Sequence, residues 1–324
     1  MTLDVRLLRE ERDRLREGLR KRGESADVDR LVRLDEEYRR LLADSERLKA
    51  ERNARSKEIG ELVRQGASDR AEALKLEMRE VADRIKALDD QAGAHKDTLD
   101  SLLLEVPNLP HDSVVGGGLE ANQVVREWGA PARFDFEPRP HWELGEALGI
   151  LDLERATKIS GSGFVGLTGA GAALSRALIA FMLDRHRSNG YREIAPPYLF
   201  NGATATATGH LPKFADQLYT AERDELYLIP TAEVPIMGWH RDEILDAATL
   251  PLRYCAHTPC FRREAGAAGR ETRGMIRVHQ FDKVEMVAIT TPESSYDALE
   301  SLTADAEGVL QALGLPYRVV LLAA

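Results

Sequence analysis

The segment 258–285 places a charged cluster, a glycine-rich basic loop and a second charged run close together. Arg262 and Glu264 are two residues apart, so an extended chain would carry both on one face. After the loop, His279, Phe281, Lys283 and Glu285 repeat this two-residue spacing, which places Phe281 and Glu285 on one face. A guanidinium matches phosphate oxygens, an aromatic ring can stack on a base, and carboxylates can hold an amino group or a metal ion. The pattern predicts a nucleotide-binding hairpin, against the alternative of an exposed hairpin of mixed charge.

A second candidate site follows the apolar segment 226–229, which is typical of a buried strand and ends at Pro230. Thr231 and Glu233 come next, two residues apart. A hydroxyl and a carboxylate at this spacing can face one pocket. A threonine before Ala-Glu also indicates the start of a helix, with the hydroxyl as its cap. The two interpretations are compatible, and the sequence leaves both open.

Composition limits the class of protein. With 324 residues and 43% apolar residues, the chain can bury an ordinary core, and its length favours two domains. It has no run of 18 apolar residues and begins with a charged segment, so we expect a soluble, cytoplasmic protein. Cys255 and Cys260 lack the spacing of a structural zinc site, and we expect reduced, buried thiols and no protein metal site.

The N-terminal third has the period of two long helices. Apolar residues recur at alternating spacings of three and four, first across 31–62 and then across 74–102, and the turn-like segment 64–68 separates the runs. This predicts an antiparallel coiled coil within one chain, roughly 50 Å long, with Ser68 capping its second helix. The predicted seam of the first helix comprises Leu31, Leu34, Tyr38, Leu41, Ser45, Leu48, Arg52, Arg55, Ile59 and Leu62.

Charge near the turn suggests a use for this arm. The net charge of −10 disfavours nucleic-acid binding by the whole surface. Between residues 47 and 64, however, basic residues outnumber acidic ones, and phosphate contacts need only such cations. A spacer or a dimerising coil remains the alternative. The candidate contacts are Arg47, Lys49, Arg52, Arg55, Lys57 and Arg64.

A linker divides the chain. Pro107 and Pro110 end the helical pattern, and three glycines follow at 116–118. We therefore predict an arm domain over 1–106, a linker over 107–120 and a second domain over 121–324. Within the second domain, an apolar helix over 174–186 precedes a short strand and the pair Pro196-Pro197. The fold class expected is α+β, with helices flanking an antiparallel sheet.

Several of these sequence motifs resemble those of the class II aminoacyl-tRNA synthetases. Phe261, Arg262 and Glu264 fill the first half of motif 2, while Arg277 and Phe281 fill the second. The helix, strand and proline resemble motif 1, with Pro197 at its proline. A narrower similarity is to bacterial seryl-tRNA synthetase. It is carried by the segments TPCFRREAG, GRETRG and HQFDKVE and by the TAE of 231–233.

The resemblance implies a reaction. Seryl-tRNA synthetases activate L-serine with ATP and Mg²⁺ to seryl-adenylate, then transfer the seryl group to tRNA(Ser), with tRNA(Sec) as a further acceptor that the resemblance allows. The arm would hold the tRNA, and motif 1 would form a homodimer interface. The implied catalytic residue is Arg262. The implied serine-binding residues are Thr231, Ala232, Glu233, Arg262 and Glu285, and those for ATP are Arg262, Arg263, Glu264 and Phe281. Loop arginines Arg270, Arg273 and Arg277 would meet the acceptor stem or outer phosphates, with simple solvation as the alternative.

Two departures from the family pattern qualify the expectation. The chain ends at Ala324, before the segment that would hold motif 3 and its ATP-binding arginine, so we expect an incomplete catalytic domain. Gly163 stands where the family often has an arginine, before Phe164. The alternatives to a serine ligase are a tRNA-binding fragment acting through the arm alone and, ranked last, an amino-acid:carrier-protein ligase, which would lack the arm.

Overall fold

The computed structural model describes residues 3–265 and 273–324. The described chain forms two compact units, one of residues 3–122 with Leu322–Ala324 and the other of Gln123–Leu321. The first unit is helical and the second combines helices with strands, which confirms the α+β prediction. The helices are α1 (Arg6–Glu10), α2 (Arg12–Lys21), α3 (Val28–Arg64), α4 (Ser68–Glu105), α5 (His141–Ala147), α6 (Leu153–Ser160), α7 (Ala170–Ser188), α8 (Gly202–Ala207), α9 (Glu233–Trp239) and α10 (Ser295–Ala312).

The strands all belong to the second unit. They are β1 (Gln123–Trp128), β2 (Arg192–Glu193), β3 (Leu199–Asn201), β4 (Thr220–Ala221), β5 (Leu226–Leu228), β6 (Leu252–Phe261), β7 (Gln280–Ile289) and β8 (Tyr317–Leu321). They pair as β1-β8, β2-β6-β7 and β3-β5-β4. Every pairing is antiparallel except that of β2 with β6. No described helix is long and apolar enough to cross a membrane.

The predicted arm is present as α3 and α4, of 37 and 38 residues, or roughly 55 Å each at 1.5 Å per residue. The helices run antiparallel, since Glu37 approaches His95 near one end and Ser45 bonds to Asp89 further along. Most predicted seam residues are buried or half-buried, but Arg55 is exposed and pairs with Glu58. The side chain of Arg55 thus reaches outward from its seam position, as a long stem allows.

The turn between these helices differs from the prediction in one detail. Ser68 is the first helical residue rather than the cap, and Ala67 occupies the cap position without a side-chain hydrogen bond. Gly66 makes the turn with φ +74°, a conformation that glycine adopts without a steric cost. The chain reverses here because of this glycine, not because of a capping hydroxyl.

The base of the arm contains a buried charge that periodicity does not reveal. Asp35 is 2% exposed and lies beside the apolar cluster of α1, α2, α3 and α4. Arg9 approaches it with two nitrogens, at 3.0 and 2.7 Å, and Arg39 adds a third hydrogen bond at 2.9 Å. Burial alone would raise the pKa of Asp35, but these hydrogen bonds lower it below its ordinary value. The carboxylate therefore stays ionised and ties α1 to α3.

In the second unit, α7 and α10 pack beside the central sheet. Tyr191, after α7, donates a hydrogen bond to Asp305 of α10 at 2.6 Å. Burial and that carboxylate raise the pKa of Tyr191. Cys255 and Cys260 are buried free thiols, as predicted, and burial raises the pKa of Cys255 to about 11. Neither thiol is set up for chemistry at neutral pH.

The Asp35 site gives a test of the arm. Replacing Arg9 by Met removes two of three hydrogen bonds to a buried carboxylate, and we expect the first unit to lose about 2 kcal/mol of unfolding free energy. Urea unfolding followed by far-UV circular dichroism measures this loss. Tryptophan fluorescence should stay unchanged, since the tryptophans at 128, 142 and 239 all lie in the second unit.

The matched control is Arg6→Met. Arg6 also pairs with an aspartate, Asp4, but both side chains are exposed. Exposed pairs contribute little, so we expect a change within about 0.5 kcal/mol. Equal losses in Arg6→Met and Arg9→Met would contradict the role given to the buried carboxylate.

Candidate active site

The centre of the second unit is the β6–β7 hairpin. Ten residue pairs join the strands, with Thr258 opposite Lys283 and Cys260 opposite Phe281. The register fixes which side chains face each side of the sheet, since a slip by one residue would invert them all. Phe281, Lys283 and Glu285 occupy alternate positions of β7 and share one face, as the period predicts.

The extended run predicted through Glu264 ends earlier than expected. Strand β6 stops at Phe261, and the Arg262 N–H donates to the His279 carbonyl at 2.9 Å, one residue beyond the strand. The next N–H, that of Arg263, donates instead to the Gln217 carbonyl at 3.0 Å. Glu264 then adopts φ +51°. The N–H of Arg263 points away from β7, where the Gln217 carbonyl accepts it, and the left-handed conformation of Glu264 then takes the chain out of the sheet.

A cavity of about 460 Å³ nevertheless unites Arg262 and Glu264. It opens between the end of β6, the segment before α9 and the segment after α8. The two-residue alternation of an extended chain therefore predicted correctly that Arg262 and Glu264 lie together. It predicted the wrong backbone conformation between them. Its lining residues are His210, Phe214, Gln217, Leu218, Pro230, Thr231, Arg262, Glu264, Ala265 and Arg277.

Arg262 is held in this cavity without a carboxylate partner among the described residues. Its Nε donates to the Pro230 carbonyl at 3.3 Å, and its guanidinium carbon lies 5.1 Å from the centre of the Phe281 ring. A cation over an aromatic face is attracted by the ring without being neutralised. The remaining guanidinium donors are therefore available to an anion in the cavity.

The other two cations near the cavity are paired. Arg277 forms an ion pair with Glu264, and Lys283 forms one with Glu285. Contact of Arg277 with the acceptor stem or with outer phosphates stays a prediction. Arg277 lines the cavity and pairs with Glu264, because Glu264 is only 17% exposed and its charge needs a partner.

Thr231, Lys283 and Glu285 form a closed set of hydrogen bonds, here called the Thr231 cluster. The Thr231 hydroxyl donates to Glu285 Oε2 at 2.6 Å and accepts from Lys283 Nζ at 2.7 Å. The N–H of Glu233, the first residue of α9, also donates to the Thr231 hydroxyl at 3.3 Å. Thr231 thus lines the cavity and lies just before α9, whose cap position is occupied by Ala232 and not by Thr231.

His279 supports Arg262 from behind. Its Nδ1 donates to the Arg262 carbonyl at 2.9 Å, and its N–H donates to the Gly163 carbonyl at 2.8 Å. The rings of Phe164 and Tyr219 pack against the imidazole at 5.3 and 6.4 Å between centres. Gly163 has φ +82°, and a Cβ there would lie 2.5 Å from the His279 ring. Glycine is therefore required at 163 by both the backbone and the packing.

Other predicted site residues lie outside the cavity. The side chains of Arg263 and Glu233 are exposed and do not line it, and Ala232 is buried beneath it. Arg273 is exposed, and Arg270 falls outside the described residues. Pro197 is exposed after β2. Among the described residues, no group of three or more His, Cys, Asp or Glu side chains could hold a metal ion.

Some of the six candidate contact residues of the arm form local ion pairs. Arg47 and Arg55 each bond to an acidic residue one turn away, and Lys49 also reaches Asp89 of α4. Arg52 and Lys57 have no ion-pair partner among the described residues. These two lie toward the turn end of α3, where the predicted contact region was placed.

Sequence reasoning missed three contributors to the site. Lys283 was visible as part of the strand period, but nothing in that period indicates its bond to Thr231, which is 52 residues away. His210 and Gln217 lie in an irregular segment and reach the cavity only through the fold. Their signal in the sequence is limited to residue type, a histidine and an amide between two short elements.

Comparison with known proteins decides the family. A profile described as the Seryl-tRNA synthetase N-terminal domain matches residues 2–110, and one for the tRNA synthetase class II core domain (G, H, P, S and T) matches 217–324. Serine–tRNA ligases of Carboxydothermus hydrogenoformans and Geobacillus thermodenitrificans are 51% and 54% identical over 99% of this chain. The chain belongs to the seryl-tRNA synthetase family. It spans 76% of the length of each of these two relatives.

Solved structures agree with this assignment. The seryl-tRNA synthetase of Pyrococcus horikoshii, complexed with ATP, is 37% identical and superposes with a TM-score of 0.91 over 98% of this chain and 76% of its own. The cytoplasmic serine–tRNA ligase of Naegleria fowleri, in complex with AMP, is 27% identical with a TM-score of 0.84 over 99% and 78%. This chain is thus a member of the aminoacyl-tRNA synthetase ligases, and these two solved relatives are complexes with ATP and AMP.

The contact between Gly163 and His279 can be tested with two glycines of similar backbone. Gly161→Ala, at φ +91° with nothing near the added methyl group, should cost about 1 kcal/mol of unfolding free energy through backbone strain alone. Gly163→Ala should cost a further 1–3 kcal/mol or so, because its methyl group collides with a packed ring. Urea unfolding followed by tryptophan fluorescence compares the two, and equal losses would show that His279 is not held in place.

Proposed function

We propose that this chain activates L-serine with ATP to seryl-adenylate and transfers the seryl group to tRNA(Ser), with tRNA(Sec) as a further acceptor. One observation carries the proposal beyond family membership. Arg262, with no carboxylate partner among the described residues, lines the same cavity as Thr231, whose hydroxyl bonds to Glu285. The cavity therefore offers a group for an anion next to groups for an amine and a hydroxyl.

The chemical difficulty of activation is electrostatic. A serine carboxylate must approach the α-phosphate of ATP, and the two negative charges repel each other. We assign Arg262 to both groups, because a guanidinium has enough donors to bind a carboxylate and a phosphate together. Positioning and charge neutralisation of this kind lower the barrier without a protein nucleophile.

The remaining ligand roles follow the placement of side chains. Phe281 supplies the aromatic face for adenine, with Glu264 and Arg263 on the ATP side. The Thr231 cluster receives serine, where Thr231 and Glu285 hold its ammonium and hydroxyl, and Ala232 and Glu233 complete the wall. Groups that must pair with a substrate hydroxyl penalise an analogue lacking it, which favours serine over alanine.

Mg²⁺ belongs to this proposal as a companion of the nucleotide. Glu264 and Glu285 are each neutralised by a cation of the protein, so neither offers a free carboxylate. Mg²⁺ commonly binds through substrate phosphates and water with few protein ligands. We therefore propose that ATP enters as its magnesium complex and that the metal would be held mainly by the phosphates.

The activation step can be measured as serine-dependent ATP–pyrophosphate exchange. Arg262→Ala should lower the exchange rate about 10²–10³-fold, because the variant loses the charge stabilisation of the transition state. Arg223→Ala is the control, since Arg223 is an exposed arginine on the turn before β5. An unchanged rate in Arg262→Ala would overturn the role of Arg262.

Two further outcomes test the proposal as a whole. If the wild-type chain shows no exchange but binds tRNA, the catalytic proposal is overturned for this chain and a tRNA-binding fragment remains. If exchange proceeds and the seryl group is accepted by a carrier protein but not by tRNA, the carrier-protein ligase replaces it. Exchange together with tRNA acylation supports the ligase.

The arm is the proposed site of tRNA binding. We propose that residues 1–106 form this domain, that 107–120 link it to the core and that 121–324 form the catalytic domain, working in the cytoplasm. The arm is a long antiparallel helix pair with basic residues toward its turn. The six proposed contacts are Arg47, Lys49, Arg52, Arg55, Lys57 and Arg64. Among the described residues Arg52, Lys57 and Arg64 have no ion pair, and Arg64 bonds to the Gly60 carbonyl.

A double variant, Arg52→Gln with Lys57→Gln, tests these contacts. We expect tRNA affinity to fall about tenfold and the slope of log K against log salt to decrease by roughly two, one for each lost phosphate contact. Fluorescence anisotropy over a salt series measures both. Lys96→Gln, on α4 and already paired with Asp100, is the control. An unchanged salt slope in the double variant would exclude these two side chains from the interface.

We also propose that the chain forms a homodimer through motif 1. Helix α7 has an apolar sequence, yet Leu174 is 58% exposed, and Tyr198 and Leu199 beside Pro197 are 48% and 44% exposed. Large exposed apolar side chains are typical of a surface that a partner covers when they form one patch. We propose a second copy of the chain as the partner, because the resemblance to motif 1 implies a dimer contact here.

A further inference from the structure

His210 lines the cavity of Arg262 and is not used by any role proposed above. It lies between α8 and β4 and is half-buried. Its backbone is fixed on both sides, since its N–H donates to the Ala205 carbonyl at 2.9 Å and its carbonyl accepts from Phe214 at 2.8 Å. The rings of His210 and Phe214 also pack together at 6.3 Å. The imidazole is therefore a positioned group and not a free surface side chain.

The hydrogen bonds of Thr208 determine which ring nitrogen carries the proton. The Thr208 hydroxyl lies 3.0 Å from the Thr204 carbonyl and 3.2 Å from the Ala205 carbonyl, and carbonyls only accept. Its single hydrogen is thus used, so its oxygen must accept from His210 Nδ1, which is 3.1 Å away. In the neutral ring Nδ1 then carries the hydrogen, and Nε2 carries a lone pair.

Nε2 is the uncommitted basic group of the cavity. It has no hydrogen-bond partner within residues 3–265 and 273–324 and is not fully buried, so it is open to a ligand. The arginines Arg262 and Arg277 can only donate. Glu264 is neutralised by Arg277, and the hydroxyl of Thr231 is held within the Thr231 cluster. The amide of Gln217 is not basic.

We propose that His210 Nε2 is the general base of the transfer step, an inference that rests on the proposed function. A ribose hydroxyl oxygen of the tRNA terminus attacks the carbonyl carbon of seryl-adenylate and forms the ester bond. The bond from that carbon to the phosphate oxygen breaks, and AMP leaves with the electron pair. The hydroxyl proton moves to Nε2, and the resulting imidazolium returns it to solvent.

The surroundings keep this base neutral at physiological pH. Burial lowers the pKa of His210 below its ordinary value, and the positive charges of Arg262 and Lys283 lower it further. A histidine of ordinary pKa, about 6.5, is already mostly neutral at pH 7, and the lowered value makes the free base nearly complete. The rate of transfer should therefore fall only when the pH drops below about 6.5, where the His210 imidazole becomes protonated.

Two substitutions separate the two nitrogens. His210→Asn retains a nitrogen donor near the Thr208 hydroxyl and removes Nε2, whereas His210→Gln retains length without basicity. ATP–pyrophosphate exchange measures activation, and rapid-quench transfer from preformed seryl-adenylate to tRNA measures the second step. We expect exchange to stay within about threefold of wild type and transfer to fall about 10²-fold or more. The acidic limb of the pH–rate profile should disappear in both variants.

His257→Gln is the matched control, because His257 lies on β6, bonds to Asp282 and does not line the cavity. Both of its rates should equal those of wild type. Normal transfer in His210→Asn and His210→Gln would overturn the base assignment alone. Equal loss of exchange and transfer would also overturn it, because His210 would then act in substrate binding. Absence of exchange in the wild-type chain would overturn the proposed function, and this inference with it.

Discussion

Arg262 is attracted by the Phe281 ring and by the Pro230 carbonyl, and neither contact neutralises its charge. The rest of the cavity is arranged around that unneutralised cation. Glu264 and Glu285, the two carboxylates that could have paired with it, are each paired with another cation of the protein. Either carboxylate, if freed, would compete with an incoming anion for Arg262. Arg277 and Lys283 therefore contribute to anion binding indirectly, by keeping the carboxylates occupied.

This arrangement depends on the β6–β7 register. Phe281 and Lys283 must face the same side of the sheet for one to lie under Arg262 and the other to reach Thr231. The opposite positions of β6, Thr258 and Cys260, are fully buried and hold the strands in that register. Burial raises the pKa of the Cys260 thiol, so that residue packs as a small apolar group. The two-residue spacing of Phe281 and Lys283 in the sequence therefore places both side chains at the site once the sheet has formed.

Local periodicity predicted the arm and the face of β7, because helices and strands repeat side-chain directions along the chain. It failed where a distant contact decides the conformation. Glu264 turns into a left-handed conformation after the Gln217 carbonyl takes the N–H of Arg263, and no local pattern contains that information. Asp35 is buried in the arm because Arg9, 26 residues away, meets it. Local periodicity does not predict the role of His210 either. Its tautomer depends on Thr208, and its neighbours in the cavity depend on the fold.

Gly163 shows how a departure from the family pattern is accommodated. Its carbonyl holds the N–H of His279, and His279 in turn holds the carbonyl of Arg262. The imidazole occupies the space where a side chain at 163 would begin. A larger residue at 163 could be accepted only if the ring moved, and the ring is packed between Phe164 and Tyr219. The backbone carbonyl of Arg262 is therefore linked to position 163 through the His279 ring.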